Sequence, residues 1–259
     1  MNRVPAAIGR WDLFGFIAME EYLVSTRVSQ VSRRAPGKPA TDEEIAYFRQ
    51  IENDLYTAVI SDALDELGYC DRAMREYLRP LALDMVVAGW ARTVACIDVH
   101  YMSEEPYAME IEALDSTLAG EVLVVSTNSS TRNAPWGELL STATIARGGR
   151  GAIVDGLVRD TKKIREMGFP VFAAGIKPVD SRGRGVVLDY NIPVDCAGVL
   201  VTPGDLVVAD CDGVVVVPSA VAEETIRLAM DKATRENYSR DELRRGAYLR
   251  DVYARYGVL

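Results

Sequence analysis

Apolar and polar residues change rhythm twice along the chain. Helical spacing begins at Thr41-Asp42-Glu43-Glu44, where a hydroxyl and a carboxylate three apart can satisfy the first free amides of a helix, and it runs to Gly68 with a break near Asn53. From Met85 β-branched residues and alternation take over, and strands are predicted over 86–97, 122–126, 152–155, 171–174 and 185–188. Helical stretches at about 105–116 and 137–147 lie between some of them. Three short strands follow, at 198–202, 206–209 and 214–217, separated by Pro203-Gly204 and Asp212-Gly213. The helical rhythm then returns: Ala222, Ile226, Ala229 and Met230 fall on one face, and a second amphipathic piece over 248–256 ends at Gly257. This mixture predicts an α/β domain with a strongly curved or closed sheet rather than a long regular βαβ array. No repeat of fixed period and no low-complexity tract interrupts it.

Residues 1–40 have a different character. They end in Arg33-Arg34-Ala35-Pro36-Gly37-Lys38-Pro39, a linker composition, yet Trp11, Phe14, Phe16 and Tyr22 are apolar enough that the segment is expected to pack on the main domain or on a neighbouring subunit.

Composition narrows the class. With 259 residues, 49% of them hydrophobic and 26% charged, the chain can bury a sizeable core without a metal or disulfide staple. The net charge of -9 opposes a phosphate-tracking surface, so nucleic acid is not an expected partner. Cys70, Cys96, Cys196 and Cys211 show no CxxC spacing and are read as reduced thiols. No apolar run reaches the length of a membrane span, because Glu20 and Glu21 break the most apolar early stretch. Membrane partners are therefore not expected, and a cytoplasmic location is.

Candidate chemistry concentrates between Trp136 and Asp160. A glycine opening a helix at Gly137-Glu138-Leu139-Leu140 leaves backbone amides free for an anion, since the first turn has no internal acceptors and carries the positive end of the dipole. Some twenty residues later a strand ends in Asp155-Gly156, and Arg159-Asp160 follows where the chain passes into the next helix. A guanidinium can steady a developing oxyanion while a carboxylate binds a hard divalent cation. The plainer reading of the same pair is a helix cap beside a surface charge.

The runs Gly137-Glu138-Leu139-Leu140, Ala146-Arg147-Gly148, Gly151-Ala152-Ile153-Val154-Asp155-Gly156, Arg159-Asp160 and Met167-Gly168-Phe169-Pro170-Val171-Phe172-Ala173 together resemble the superfamily of regulator of ribonuclease activity A and the 4-hydroxy-4-methyl-2-oxoglutarate aldolases. Further matches are Ile60-Ser61-Asp62-Ala63-Leu64-Asp65, Pro203-Gly204-Asp205 and Asp212-Gly213 through Pro218, so the resemblance covers about 50–220. It implies a swivelling β/β/α-type domain over 41–220, with 1–40 as an extension and linker and 221–259 as a helical tail. It also implies Mg2+ or Mn2+, a small 2-oxo acid substrate, and sites at the subunit junctions of a homotrimer or homohexamer.

Carried over residue by residue, Asp160 would ligate the metal and Glu138 would support it. Arg159 would hold the pyruvyl oxygen that becomes the enolate, and the amides around Gly137, Leu139 and Leu140 would receive the carboxylate. Asp62 is a minor candidate, and Glu236 is the nearest match to an acidic residue that the family supplies from a neighbouring subunit. The implied activity is carbon–carbon lysis, as aldol cleavage of a 4-hydroxy-2-oxo acid or decarboxylation of oxaloacetate. The alternatives are a non-catalytic regulator that binds a ribonuclease and a metal-dependent sugar-acid dehydratase. One departure stands out. Aldolase members place an acidic residue beyond Arg-Asp after two to four intervening residues, and Lys163, Ile164 and Arg165 follow here at about those places, with Glu166 just beyond.

Other residues carry plainer readings. His100 closes a strand pattern and matches none of these motifs, Asp210 and Asp212 look like turn formers, and the glycines at 148, 149 and 151 follow a helix, which excludes a phosphate loop.

Overall fold

The computed structural model describes residues 37–258. The expectations for residues 1–36 lie outside them. Helix α1 (Asp42–Asp54) starts as its capping box dictates: the Glu44 amide donates to Thr41 Oγ1 at 3.2 Å, and the Thr41 amide donates to Glu44 Oε2 at 2.8 Å. Leu55 and Tyr56 take extended backbone and part α1 from α2 (Thr57–Glu66). The break thus falls within a few residues of where the spacing placed it.

The sheet is organised by one long strand. The two-residue β1 (Arg79–Pro80) precedes β2 (Val87–Asp98), whose first eight residues are all buried. After it come α3 (Ala108–Asp115), β3 (Glu121–Ser126), α4 (Glu138–Ala146), β4 (Gly151–Val158), α5 (Thr161–Glu166) and β5 (Val171–Ile176). Strands β2 to β5 pair in parallel with their sequence neighbours, so this stretch forms three consecutive βαβ units. Helices α3, α4 and α5 are short, at 8, 9 and 6 residues, which is why the helical signal between the strands is faint.

Antiparallel strands complete the sheet on both flanks. Arg79–Pro80 lies along β5. On the other side, β2 pairs through its N-terminal half with β9 (Leu206–Ala209) and through its C-terminal half with β6 (Gly185–Tyr190), with a bulge at Ala95/Cys96. Strand β10 (Val214–Val217) closes on β9 across the Asp212-Gly213 turn, and β7 (Val194–Cys196) and β8 (Val199–Val201) make a separate hairpin. The outcome is a mixed α/β fold with a strongly curled, half-barrel sheet flanked by helices.

Helices α1, α2 and α6 (Ala222–Arg244) cover one part of the sheet through Phe48, Ile51, Ile60, Leu64 and Ile226. Helices α3 to α5 cover β3 to β5 through Leu114, Trp136, Ile164 and Phe169. Helix α7 (Leu249–Tyr256) packs on α6 and ends at Gly257, whose φ of 68° is the left-handed turn a glycine supplies at a helix end. Among the described residues no helix is long and apolar enough to cross a membrane, and all four cysteines are free.

In a parallel array, ligands gather at the carboxyl ends of the strands, where chain leaves the sheet and side chains can converge without breaking its ladder. Here those ends are Asp98, the loop after Ser126, Arg159-Asp160 and the segment after Ile176.

Candidate active site at the carboxyl ends of β4 and β5

Strand β4 delivers Arg159 and Asp160 to the N-terminus of α4. A parallel bridge joins Trp136 to Val158, and the Arg159 amide donates to the Trp136 carbonyl at 2.9 Å. The turn before α4 is held by Trp136, which is buried, donates to Ser141 Oγ at 3.0 Å and is thereby locked to the first turn of the helix. The hydroxyl of Ser141 in turn donates to the Gly137 carbonyl at 3.0 Å.

Asp160 is the unusual residue. It precedes α5, where an aspartate ordinarily caps the helix, but its φ of 57° and ψ of 27° lie in the left-handed region and it makes no cap bond to α5. That backbone turns the carboxylate across to the neighbouring helix, where Oδ2 accepts from the Glu138 amide at 3.3 Å. The plain helix-cap reading therefore fails at this position. A residue held in a sparsely populated backbone region at a strand end marks stored strain of the kind found at functional sites. Gly137 makes the approach feasible: a Cβ built there would lie 2.7 Å from Asp160 Oδ2, well inside contact distance.

The cradle is thus partly filled by the protein itself. Of the first-turn donors, Glu138 N is taken by Asp160, and the amides of Leu139 and Leu140 lie beyond it in the first turn. The Leu139 side chain is exposed and the Leu140 side chain packs against the core, so these residues can serve a ligand through their backbone only. The Glu138 carboxylate points along its helix, accepting from Thr142 Oγ1 at 3.1 Å with Lys163 Nζ 3.9 Å away. Lys163 is one of the residues standing where aldolase members carry an acid, and Glu166 pairs with Lys162 at 3.8 Å instead.

Arg159 is aimed by residues that the motifs did not single out. Its Nη2 lies 3.0 Å from Asp180 Oδ1 and its Nε 4.0 Å from Asp160 Oδ2, while the other Asp180 oxygen accepts from the Tyr107 hydroxyl. Partial burial works against the Asp180 charge, yet the Tyr107 hydroxyl, Arg159 and the amides of Arg182 and Ser181 together hold its carboxyl below the usual range. Arg159 itself is 39% exposed, so one side is fixed and the other is open.

Next to this pair lies Glu110 on α3. Burial first, then the Asp180 charge, push its carboxyl up to about 7 against the opposing pull of Arg159. Asp180, Tyr107 and Glu110 come from the segment after β5 and from α3. Only the parallel order of the strands, which brings the end of β5 beside the end of β4, could have pointed to Asp180.

The remaining candidates sit elsewhere. Asp62 pairs with Lys232 at 2.7 Å and Glu236 accepts from the Tyr56 hydroxyl, both across the α2 and α6 contact. His100 is exposed with Nε2 2.8 Å from Arg132 Nη1. Asp210, Cys211 and Asp212 cluster at a turn, but both Asp210 oxygens are occupied by Thr57 and the Asp212 amide, as a turn former requires.

A divalent cation fits the donor set of the Arg159-Asp160 corner. Asp160 is 46% exposed and its Oδ1 has no protein partner among the described residues, which is the open hard-oxygen ligand such an ion takes. The Glu138 carboxylate belongs to the same residue whose amide Asp160 already holds. Magnesium binds through one or two carboxylates and keeps several waters, so this set is sufficient.

Comparison with known proteins finds relatives of this chain in sequence and in fold. The chain is 31% identical over 164 residues to a Halalkalibacterium halodurans protein named "Putative 4-hydroxy-4-methyl-2-oxoglutarate aldolase", covering 63% of this chain and 71% of that one. It is 41% identical over 120 residues to an uncharacterized protein of Methanocaldococcus jannaschii, a match spanning 46% of this chain and 57% of the relative. A Streptomyces coelicolor crystal structure described as an unusual member of the RNase ES inhibitor RraA protein family superposes with a TM-score of 0.70 at 32% identity, covering 79% of this chain and all of that one. The family described as RraA-like, Aldolase/RraA, matches residues 57–216, well over half of the sequence, and the chain belongs to that family.

Proposed function

We propose that the chain is a divalent-metal-dependent carbon–carbon lyase acting on a small 2-oxo acid, with its site at the Arg159-Asp160 corner. The observation that carries this reading is the left-handed Asp160, whose carboxylate is turned off its own helix to the Gly137-Glu138 turn, beside an arginine open on one side. The names borne by relatives such as the H. halodurans protein support it.

Asp160, with Glu138 through water, would hold the cation. When bound, that ion supplies Lewis acidity to the pyruvyl unit. The chain's own groups do the rest. The Leu139 and Leu140 amides receive the substrate carboxylate, and Arg159 steadies the negative charge that gathers on the 2-oxo oxygen. In aldol cleavage the C3–C4 bond breaks, its electron pair moves toward that oxygen, and the C4 hydroxyl gives its proton to water as it becomes a carbonyl. In decarboxylation the same bond breaks with loss of carbon dioxide. In both cases C3 then takes a proton from water and pyruvate leaves. Asp180, fixed by Tyr107, positions the guanidinium for this work.

Pyruvate release from oxaloacetate and from a set of 4-hydroxy-2-oxo acids, with magnesium and after EDTA, tests the reading. Metal-dependent turnover that falls by at least about a thousandfold in Asp160→Ala is the expected result. Full metal-dependent turnover in that variant would sink it.

A binding role has its own support in the S. coelicolor structure, described as belonging to an RNase inhibitor family. Complex formation with a ribonuclease that survives Arg159→Ala, in a chain that turns over none of the 2-oxo acids, would favour that reading.

A further inference from the structure

Strand β4 does not end at Asp155-Gly156, where its apolar run breaks; it bulges there and continues to Val158. Against β5 the register passes from Val154 opposite Ala173 to Leu157 opposite Gly175, so Asp155 and Gly156 together span a single partner residue, Ala174. Such a bulge bends its strand and re-aims the side chains beyond it, because one extra residue shifts their alternation against the neighbouring strand. What lies beyond it here is Arg159-Asp160.

The extra residue is pinned by its own side chain. Asp155 is buried, and its Oδ1 accepts from the Thr127 amide at 2.5 Å and from Thr127 Oγ1 at 2.7 Å. Its Oδ2 accepts from the amides of Ser129 at 3.3 Å and Ala197 at 3.5 Å. Ser129 and its neighbour Asn128, at φ 57° and 56°, and Ala197, at φ 49°, all hold left-handed backbone, so two strained turns converge on this one carboxylate. Gly156 lets them close: a Cβ there would lie 2.5 Å from Thr127 Oγ1 and 3.1 Å from the Ser130 carbonyl oxygen. Past the bulge the chain is registered against the site. Val158 bridges to Trp136, the Arg159 amide donates to the Trp136 carbonyl, and the Lys177 amide donates to the Val158 carbonyl at 3.0 Å. A slip of one residue, about 3.3 Å along the strand, would take Arg159 off Asp180 and Asp160 off the Glu138 amide.

We propose that Asp155 is a positioning residue of the Arg159-Asp160 corner: by pinning the bulge at Asp155-Gly156 to the loop after β3 and to the β7–β8 turn, it holds the guanidinium and the carboxylate in register with the start of α4 and with Asp180. The proposal rests on the lyase reading of that corner where turnover is measured, and its metal-binding readout needs no turnover.

The test uses Asp155→Asn and Thr127→Val in the full chain. The asparagine keeps the shape and an acceptor for Thr127 but sets an amide donor against the Ser129 and Ala197 amides; the valine keeps the volume and removes the Thr127 hydroxyl. Folding is followed by circular dichroism and denaturation midpoints, turnover of the best 2-oxo acid by kcat and KM with magnesium, and Mn2+ binding at the site that Asp160→Ala abolishes by the electron paramagnetic resonance signal of the free ion. In folded Asp155→Asn, kcat should fall by about a hundredfold with KM within about threefold, and Mn2+ should bind about tenfold more weakly. Thr127→Val should move both the same way by less. A residue that merely supports the fold would lower the midpoint and leave kcat and Mn2+ affinity of the folded protein as they were, and that result overturns the proposal. If Asp155→Asn does not fold, Thr127→Val decides by the same criterion. If the parent chain turns over no 2-oxo acid, the lyase reading falls and the Mn2+ comparison still decides the positioning role; if it binds no Mn2+ at Asp160 either, both fall.

Discussion

Two arginines in this molecule stand opposite carboxylates, and they differ in what remains open. Arg92 is 2% exposed at the centre of β2. Its Nε donates to the Ala113 carbonyl at 3.0 Å, its Nη1 lies 3.4 Å from Glu121, its Nη2 donates to Ser116, and the Tyr190 ring covers it at 5.1 Å. Glu121 in turn accepts the Leu118 amide at 2.8 Å. This cluster ties α3 and the start of β3 to β2. Arg159 also meets a carboxylate at close range, but two-fifths of it is exposed, and it faces a helix terminus and an aspartate with a spare oxygen. Saturated burial marks an arginine that holds the fold, whereas a half-satisfied, half-open one marks chemistry.

The contrast breaks first on Arg92. Arg92→Ala removes a buried guanidinium that bonds the Ala113 carbonyl, Ser116 and Glu121 at once and should destabilise the fold by about 3–5 kcal/mol in denaturant titrations. Arg159→Ala should leave the unfolding midpoint nearly unchanged and lower kcat/KM for the best 2-oxo acid by about 10²–10³-fold, the usual cost of one oxyanion donor. If the two variants exchanged these effects, the distinction drawn from burial would be wrong.

Glu110 sharpens the comparison through pH. Its carboxyl ionises in the folded chain at about 7, above its ordinary value of 4.5. Folding therefore favours the protonated form. The associated stability is fully present below about pH 4.5 and is lost as pH rises through 7. Glu110→Gln carries no such loss, so its stability relative to the parent should rise by about 2 kcal/mol between pH 5 and pH 8, as read from denaturation midpoints. The smallest expected effect is at Gly137. In Gly137→Ala the new methyl meets Asp160 Oδ2, and magnesium-dependent turnover should fall by about tenfold, with circular dichroism unchanged.

Much of the fold is legible in the sequence because its signals are local. The Thr41 and Glu44 capping box, the largely apolar run of β2 and the Asp212-Gly213 hairpin each act within a few residues. Strand β1 is not legible: its two residues, one of them proline, become a strand only because β5 lies alongside. The hairpin of β7 and β8 begins with Val194–Cys196, a segment too short to show a period. At the site, Gly137, Glu138, Arg159 and Asp160 are visible because each pair is contiguous. Asp180, Tyr107 and Glu110 are not, because their role arises where α3 and the segment after β5 converge on one guanidinium. The direction in which Asp160 points could not be read either. It is set by a single pair of backbone angles, which residue type alone leaves open.

Those angles bear on how the sequence can drift. Glycine occupies the left-handed region freely and asparagine does so readily, whereas aspartate there carries about 1 kcal/mol of strain relative to glycine. A descendant freed from needing a carboxylate at position 160 would relax toward glycine or asparagine and gain stability in doing so. The residue found at this one position across descendants would then serve as a record of which lineages kept the chemistry and which kept only the scaffold.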